Sequence, residues 1–194
     1  MSGPVVVIVS GPPCAGKSTI ARRIAERFSF PLAGKDMFKE LLFDTLGWQD
    51  RAWSRKLGFA SIELLFQFLE AQLRARRSCI VESNFRPEYT TDRLLDLQGR
   101  YGFRLVQIQC VTQGDVLYAR FKQRADSGER HPGHCDHATF EELRPQLLLG
   151  RMEPLDIGGV PIEIDTTDFG ALDLDATLDR VARAIEGDAP SQAG

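Results

Sequence analysis

The sequence predicts an α/β three-layer sandwich, with helices on both faces of a central parallel five-stranded sheet. Short β-branched runs alternate with amphipathic helical stretches along the chain, the pattern of parallel strands joined by crossover helices. The runs are apolar throughout rather than at every second position, as strands covered on both faces are. At 194 residues, 43% hydrophobic and 26% charged, the chain has the size and composition of one globular domain with a sizeable core.

Val5 to Ser10 is the first strand, a continuous β-branched stretch bounded by Pro4 and Gly11. Lys17 to Phe28 follows as a helix, with Ile20, Ala21, Ile24 and Phe28 on one face. Pro31-Leu32-Ala33 is a very short second strand leading into a helix that holds Asp36. Ile62 to Leu73 repeats the helical spacing through Leu65, Phe66 and Leu69. Ser78 to Glu82 is the third strand, Thr90 or Thr91 caps a helix running toward Gly102, and Arg104 to Val111 is the fourth strand. Gly114 to Ala125 reads as helix and opens an arginine-bearing lid at about 118–137. Val160 to Asp165 is the fifth strand, and Leu172 to Glu186 closes the fold with Leu174, Leu178, Val181 and Ile185 on one face. Residues 188–194 are polar and lack periodicity, so they read as a flexible tail, with 1–187 as the domain.

Twenty-four Lys and Arg against 27 Asp and Glu give a formal net charge of −3, which argues against a surface built to coat nucleic acid. No stretch approaches the ~20 apolar residues of a membrane span, and the N-terminus lacks a charged leader. A cytoplasmic location is expected. Cys14, Cys79, Cys110 and Cys135 are scattered, two of them inside strand-like runs, so no disulfide framework is expected.

Gly11-Pro12-Pro13-Cys14-Ala15-Gly16-Lys17-Ser18 fits Gly-x4-Gly-Lys-Ser/Thr between a strand and a helix, the setting in which this motif cradles a nucleoside triphosphate. Backbone N–H groups of the loop and of the helix start, through Thr19, point at phosphate oxygens. Lys17 neutralises the β- and γ-phosphates, and the Ser18 hydroxyl is offered to the Mg²⁺ that accompanies ATP.

Three further constellations carry chemistry. Asp36 stands at the C-terminal end of the short second strand, where ligands bind in open α/β sheets; it can accept a proton from an attacking hydroxyl, and Lys39 can meet an anionic substrate group. Another reading makes Asp36 a helix N-cap and leaves Lys39 solvated. Glu82 begins the segment Glu82-Ser83-Asn84-Phe85-Arg86-Pro87-Glu88 at the same rim; it can hold the water shell of a metal or orient substrate, with Asn84 and Arg86 as candidate substrate contacts. Arg120 and Arg124 lie one helical turn apart, a like-charge spacing that costs roughly 0.2–0.5 kcal/mol unless an anion sits between them. That spacing suits a lid that clamps triphosphate.

With these residues the chain resembles the small P-loop kinases related to 5′-polynucleotide kinase, a group that includes antibiotic phosphotransferases and zeta-toxin-like sugar-nucleotide kinases. The resemblance rests on Lys35 to Lys39, Glu82 to Glu88, and the Arg120/Arg124 pair. Over most of the chain, GPPCAGKST, KDMFKELLFDTLGW, ESNFRPE and RHPGHCD look like bacterial predicted kinases of the AAA ATP-binding type. It implies a P-loop kinase fold, Asp36 as general base, Lys39 as a substrate contact, and the lid arginines as ATP and transition-state ligands. Lys39 stands where the phage polynucleotide kinase has arginine, and Glu82 where it has aspartate.

All three histidines fall in Arg130-His131-Pro132-Gly133-His134-Cys135-Asp136-His137. The spacing admits zinc, although Pro-Gly inside the cluster suits a tight turn. The preferred reading is a lid loop that brings Arg130, His131 and His134 to the acceptor. Trp48 and Trp53, in the Gly47 to Gly58 segment, are read as core anchors in preference to walls of an acceptor pocket. Together the residues predict an ATP- and Mg²⁺-dependent kinase acting on a hydroxyl of a small molecule. A 5′-hydroxyl nucleic-acid kinase fits the same residues but not the net charge; a nucleotide-binding regulatory ATPase would need no acceptor base.

Overall fold

Six consecutive buried residues make Val5–Ser10 the central axis of the sheet. The computed structural model describes residues 3–158 and 161–187. The first half of the chain runs β1 (Val5–Ser10), α1 (Lys17–Phe28), β2 (Leu32–Gly34), α2 (Lys35–Leu46), α3 (Arg51–Arg74), β3 (Cys79–Glu82) and α4 (Pro87–Tyr101). The second half runs β4 (Arg104–Val111), α5 (Gly114–Asp126), two 3₁₀ turns at Pro132–His134 and Asp136–Thr139, α6 (Phe140–Leu149), β5 (Ile162–Asp165) and α7 (Leu174–Glu186). The five strands are all parallel, in the order β2-β3-β1-β4-β5.

The absence of alternation in β1 has a direct cause. Val5, Val7 and Val9 pack on one face against Ile20 and Ile24 of α1, Leu117 and Phe121 of α5, and Val181 of α7. Val6 and Ile8 pack on the other against Leu65, Leu69 and Leu73 of α3 and Leu94 of α4. Both faces are covered, so Val5 to Val9 are apolar throughout. Because the strands are parallel, their C-terminal ends meet at one rim, where the registers Val9↔Glu82 and Gly34↔Glu82 bring β1, β3 and β2 level. From β1 the chain passes to β2 at one edge, returns to β3, and then crosses β1 to β4 on the other side, and this reversal of direction opens a crevice at that rim.

Several boundaries differ from those read in the sequence. The third strand starts at Cys79, and the Ser78 hydroxyl accepts the Val5 N–H at 2.9 Å instead. Ile162 opens the described fifth strand, while Val160 and the 188–194 tail lie outside the described residues. Pro87 starts α4 and Arg86 is its N-cap; neither Thr90 nor Thr91 caps it, and the Thr90 hydroxyl instead donates to the Arg86 carbonyl at 2.7 Å. The helix expected at Ile62 already begins at Arg51, capped by the Asp50 carboxylate, which accepts from Trp53 N–H at 2.8 Å. Trp48 and Trp53 are therefore not core anchors: Trp48 is 49% exposed, and the half-buried Trp53 indole donates to the Gly47 carbonyl at 2.9 Å. Among the described residues no helix is long and apolar enough to cross a membrane. All four cysteines are free, and burial pushes the Cys79 and Cys110 thiols up to about 12.

Candidate active site

The loop after β1 is shaped by backbone geometry that few residues accept. Gly11 (φ +146°), Cys14 (φ +66°) and Gly16 (φ +70°) all turn through positive φ. A side chain at Gly11 would press on the Cys110 carbonyl of β4, and one at Gly16 would strike the Phe169 ring, so these glycines also permit close approach. No side chain caps the start of α1 and no acid lies in its first turn. Its leading N–H groups and its positive dipole end are thus turned to the rim, as an anion site requires. Lys17 Nζ arches back over the loop and donates to the Pro12 carbonyl at 2.9 Å.

Ser18 Oγ donates to Glu82 Oε2 at 3.0 Å, joining the phosphate loop to the end of β3. Burial pushes the Glu82 carboxyl up, and the Lys17 charge opposes that. Mg²⁺ takes hard oxygen donors and keeps several waters, so this hydroxyl–carboxylate pair at the phosphate rim fits it.

Asp36 sits in the first turn of α2, inside the helix and not at its N-cap. Its carboxylate stands at the floor of the cleft, surrounded by protein yet open to cleft solvent, the side chain being 47% exposed. Arg130 donates to Asp36 Oδ2 at 2.8 Å. Burial would raise the Asp36 carboxyl, but the Arg130 charge and hydrogen bond override it and hold the group well below the usual carboxylate range. Lys39 is 7% exposed and donates from Nζ to Ser54 Oγ at 2.9 Å. No carboxylate pairs with it among the described residues; burial and the nearby Lys35 charge push its ammonium down to about 8.

Arg130 is the hub of the lid. It reaches Asp36, lies with Nε 3.1 Å from Asp136 Oδ2, and donates to His134 Nδ1 at 3.0 Å. Arg124 shares Asp136 at 3.2 Å. Burial and the Arg130 charge push the His134 imidazole down to about 2, so the ring is neutral. Nδ1 accepts from Arg130, hence Nε2 carries the hydrogen and donates to Glu40 Oε1 at 2.9 Å.

Three sequence expectations change here. His134 borders the cleft, but its side chain is 4% exposed and both ring nitrogens are engaged, so here it holds Arg130. His131 stacks on Phe43 at 4.9 Å, accepts from Gly133 N–H and lies 3.3 Å from Asp44, on the outer side of α2 rather than in the cleft. Arg120 and Arg124 both line the cleft but have separate partners: Arg120 donates to the Thr166 and Thr167 carbonyls at 2.9 and 2.8 Å, beside the Phe169 ring, whereas Arg124 pairs with Asp136. Among the described residues no group of three or more His, Cys, Asp or Glu is placed to hold a metal ion, the histidine loop included.

These elements enclose a cleft of about 960 Å³. Its walls include Pro13, Cys14, Gly16, Lys17, Ser18 and Thr19 of the loop, Asp36 and Lys39 of α2, and Glu82, Asn84 and Arg86 after β3. Arg120, Arg124 and Arg130 close it from the lid side. Gly11, Pro12 and Ala15 shape the loop from behind and do not line the cleft. An AAA-domain family model (AAA_33) matches residues 6–147 of this chain. The chain belongs to that family. A curated adenylate kinase from Clavibacter michiganensis subsp. michiganensis (strain NCPPB 382) is 27% identical to this AAA-domain chain, over 93% of it and 92% of the relative. The crystal structure of a candidate kinase from Chloroflexus aurantiacus j-10-fl is 39% identical, with a TM-score of 0.87 over 94% of this chain and 99% of that one. A sugar kinase from Janibacter sp. HTCC2649 shares the fold at 17% identity and a TM-score of 0.55, over 96% and 95% of the two chains. The resemblance to small P-loop kinases read from the sequence agrees with these relatives.

Lys35, Glu40, Ser54, Asp136 and Phe169 were not singled out by sequence reasoning. Asp136 stood in the quoted histidine segment, and its acidic charge beside three lid arginines was the available signal. Phe169 lies in a loop that carries no motif.

Proposed function

We propose that this AAA-domain chain is an ATP- and Mg²⁺-dependent kinase that transfers the γ-phosphoryl group to a hydroxyl of a small molecule. The observation that carries the reading is Asp36, a carboxylate open to the cleft on the same rim as Lys17, Ser18 and Glu82. An ATPase that only switches state needs no such group. In the reaction the acceptor O–H gives its proton to an Asp36 carboxylate oxygen while the acceptor oxygen bonds to the γ-phosphorus. The bond from that phosphorus to the β–γ bridging oxygen breaks, and ADP leaves. Lys17 and Arg124 stabilise charge on the phosphoryl oxygens. Ser18 and Glu82 would hold Mg²⁺, which supplies charge neutralisation across the β- and γ-phosphates.

Arg130 determines when Asp36 can act. Paired with it, the carboxylate is a weak base. The phosphates of ATP carry more negative charge and accept an arginine fork in two-point fashion, so they compete for Arg130 and return proton affinity to Asp36. The 27% identity to an adenylate kinase favours one second reading, in which the acceptor group is a phosphate. Turnover with Asp36→Asn separates the two. A loss of a hundredfold or more with ATP affinity kept supports the hydroxyl reaction, and near-normal turnover supports the phosphate acceptor.

A further inference from the structure

The cleft combines two features that the transfer step does not use. The first is charge. Ten cationic side chains and six carboxylates line the cleft, in a chain whose net charge is −3. Arg93 is taken up by Glu63 at 2.6 and 3.0 Å, and Arg51 and Arg55 share Glu142 at 3.0 Å. Lys35, Lys39 and Arg86 pair with no carboxylate within salt-bridge distance among the described residues, and burial pushes both lysines down. Lys39 is buried, Lys35 half-buried and Arg86 exposed; a buried cation without a counter-ion is costly, and all three line the same cleft as Asp36.

The second feature is aromatic. Residues 54/55, 58/59 and 62/63 of α3 recur at helical spacing and face the cleft; Tyr89, Thr90 and Arg93 of α4, with its N-cap Arg86, do the same. Within those stripes Phe59 is 66% exposed and Tyr89 is 63% exposed. A single exposed aromatic needs no explanation. Two of them, on two helices lining one concave cleft that also holds cations without a carboxylate partner, form a complementary surface for one kind of molecule.

We propose that the acceptor is a ring-bearing anion: an aromatic or heteroaromatic ring seated between Phe59 and Tyr89, with a phosphate or carboxylate held by Lys35, Lys39 and Arg86. This rests on the kinase reading above and adds the chemical class of its acceptor. The hydroxyl of such a molecule lies between ring and anion or on the ring, within reach of Asp36. Nucleoside monophosphates and aromatic hydroxy acids share this chemistry. Sugar phosphates lack the planar ring, and uncharged nucleosides lack the anion.

The test uses the full chain with ATP and Mg²⁺ and these four compound classes. ADP release is followed by a coupled assay and the product by ³¹P NMR, which distinguishes a phosphate ester from a diphosphate. Nucleoside monophosphates or aromatic hydroxy acids are expected to exceed the other two classes by tenfold or more in kcat/KM. Phe59→Ala and Tyr89→Ala should each raise the acceptor KM by about tenfold, the scale of one stacking contact, with the ATP KM and the melting temperature unchanged. Sugar phosphates or uncharged nucleosides turned over equally well would overturn the proposal, as would an acceptor KM indifferent to both aromatic variants. Binding of the same compounds in the presence of a non-hydrolysable ATP analogue separates the two readings. Ring-bearing anions that bind without turnover uphold the ligand class and refute the kinase, whereas no preference for them in binding refutes the class itself.

Discussion

Replacing Lys39 with methionine should stabilise the protein at neutral pH while impairing it as an enzyme. Methionine keeps the unbranched stem and removes the charge. Lys39 titrates at about 8 in the folded chain against 10.5 when unfolded. Between those values the unfolded chain binds the proton and the native one does not, so native stability rises with pH through that window. At 1.36 kcal/mol per pH unit, the ammonium costs the native state about 3 kcal/mol at pH 7 and about 1 kcal/mol at pH 9.5. Losing the hydrogen bond to Ser54 Oγ offsets about 1 kcal/mol. The expected net gain is about 2 kcal/mol at pH 7, or roughly 4–8 °C in Tm for a chain of this length, and near zero at pH 9.5. Urea unfolding of both proteins at the two pH values measures it. A variant less stable than wild type at pH 7, or a gain of equal size at both pH values, would refute the picture of a strained buried cation.

Lys17→Ala should abolish transfer and weaken ATP binding, as isothermal titration and a turnover assay would show, because it removes the charge nearest the γ-phosphate. With an anionic acceptor, the acceptor KM should rise above pH 8 as Lys39 loses its proton, and Lys39→Arg should flatten that rise. In the nucleotide-free protein, Arg130→Gln should move the Asp36 carboxyl up toward its ordinary value by ¹³C NMR. The stability contributed by that pair is full at neutral pH and lost in acid, as the carboxylate takes up its proton, so the variant should lose less on acidification than wild type. Phe43→Ala, which empties a site 1% exposed, should cost about 3–5 kcal/mol in urea unfolding. An unchanged unfolding midpoint would remove Phe43 from the core.

What could be read from the sequence was what is local. β1 and the phosphate loop are contiguous, and their chemistry depends on residues within eight positions of each other. Glu82 could be placed because an apolar run ends on it and parallel strands end together. The start of α3 was hidden because Gly47 and Gly58 bracket two tryptophans and read as a linker. Asp50 capping Trp53 outweighs that composition, and Gly58 sits inside the helix. α6 escaped notice for a similar reason, since Pro145 lies within it and reads as a break. The pairing of Arg130 with Asp36 had no local signal, the two being 94 residues apart. Nor does a histidine declare that its ring is buried and neutral, which is why His134 was assigned to the acceptor instead of to Arg130.

The packing around Phe43 joins two segments far apart in the chain. His131 stacks on its ring, His134 meets it edge-on at 5.3 Å, and a Cβ at Gly133 would lie 2.8 Å from it. The lid turn therefore has no freedom to slide over α2, and the two should open and close as one cooperative unit. Backbone amides of 131–135 and of α2 would then share one opening free energy in deuterium exchange, and a nucleotide that draws Arg130 off Asp36 would change protection in both segments together.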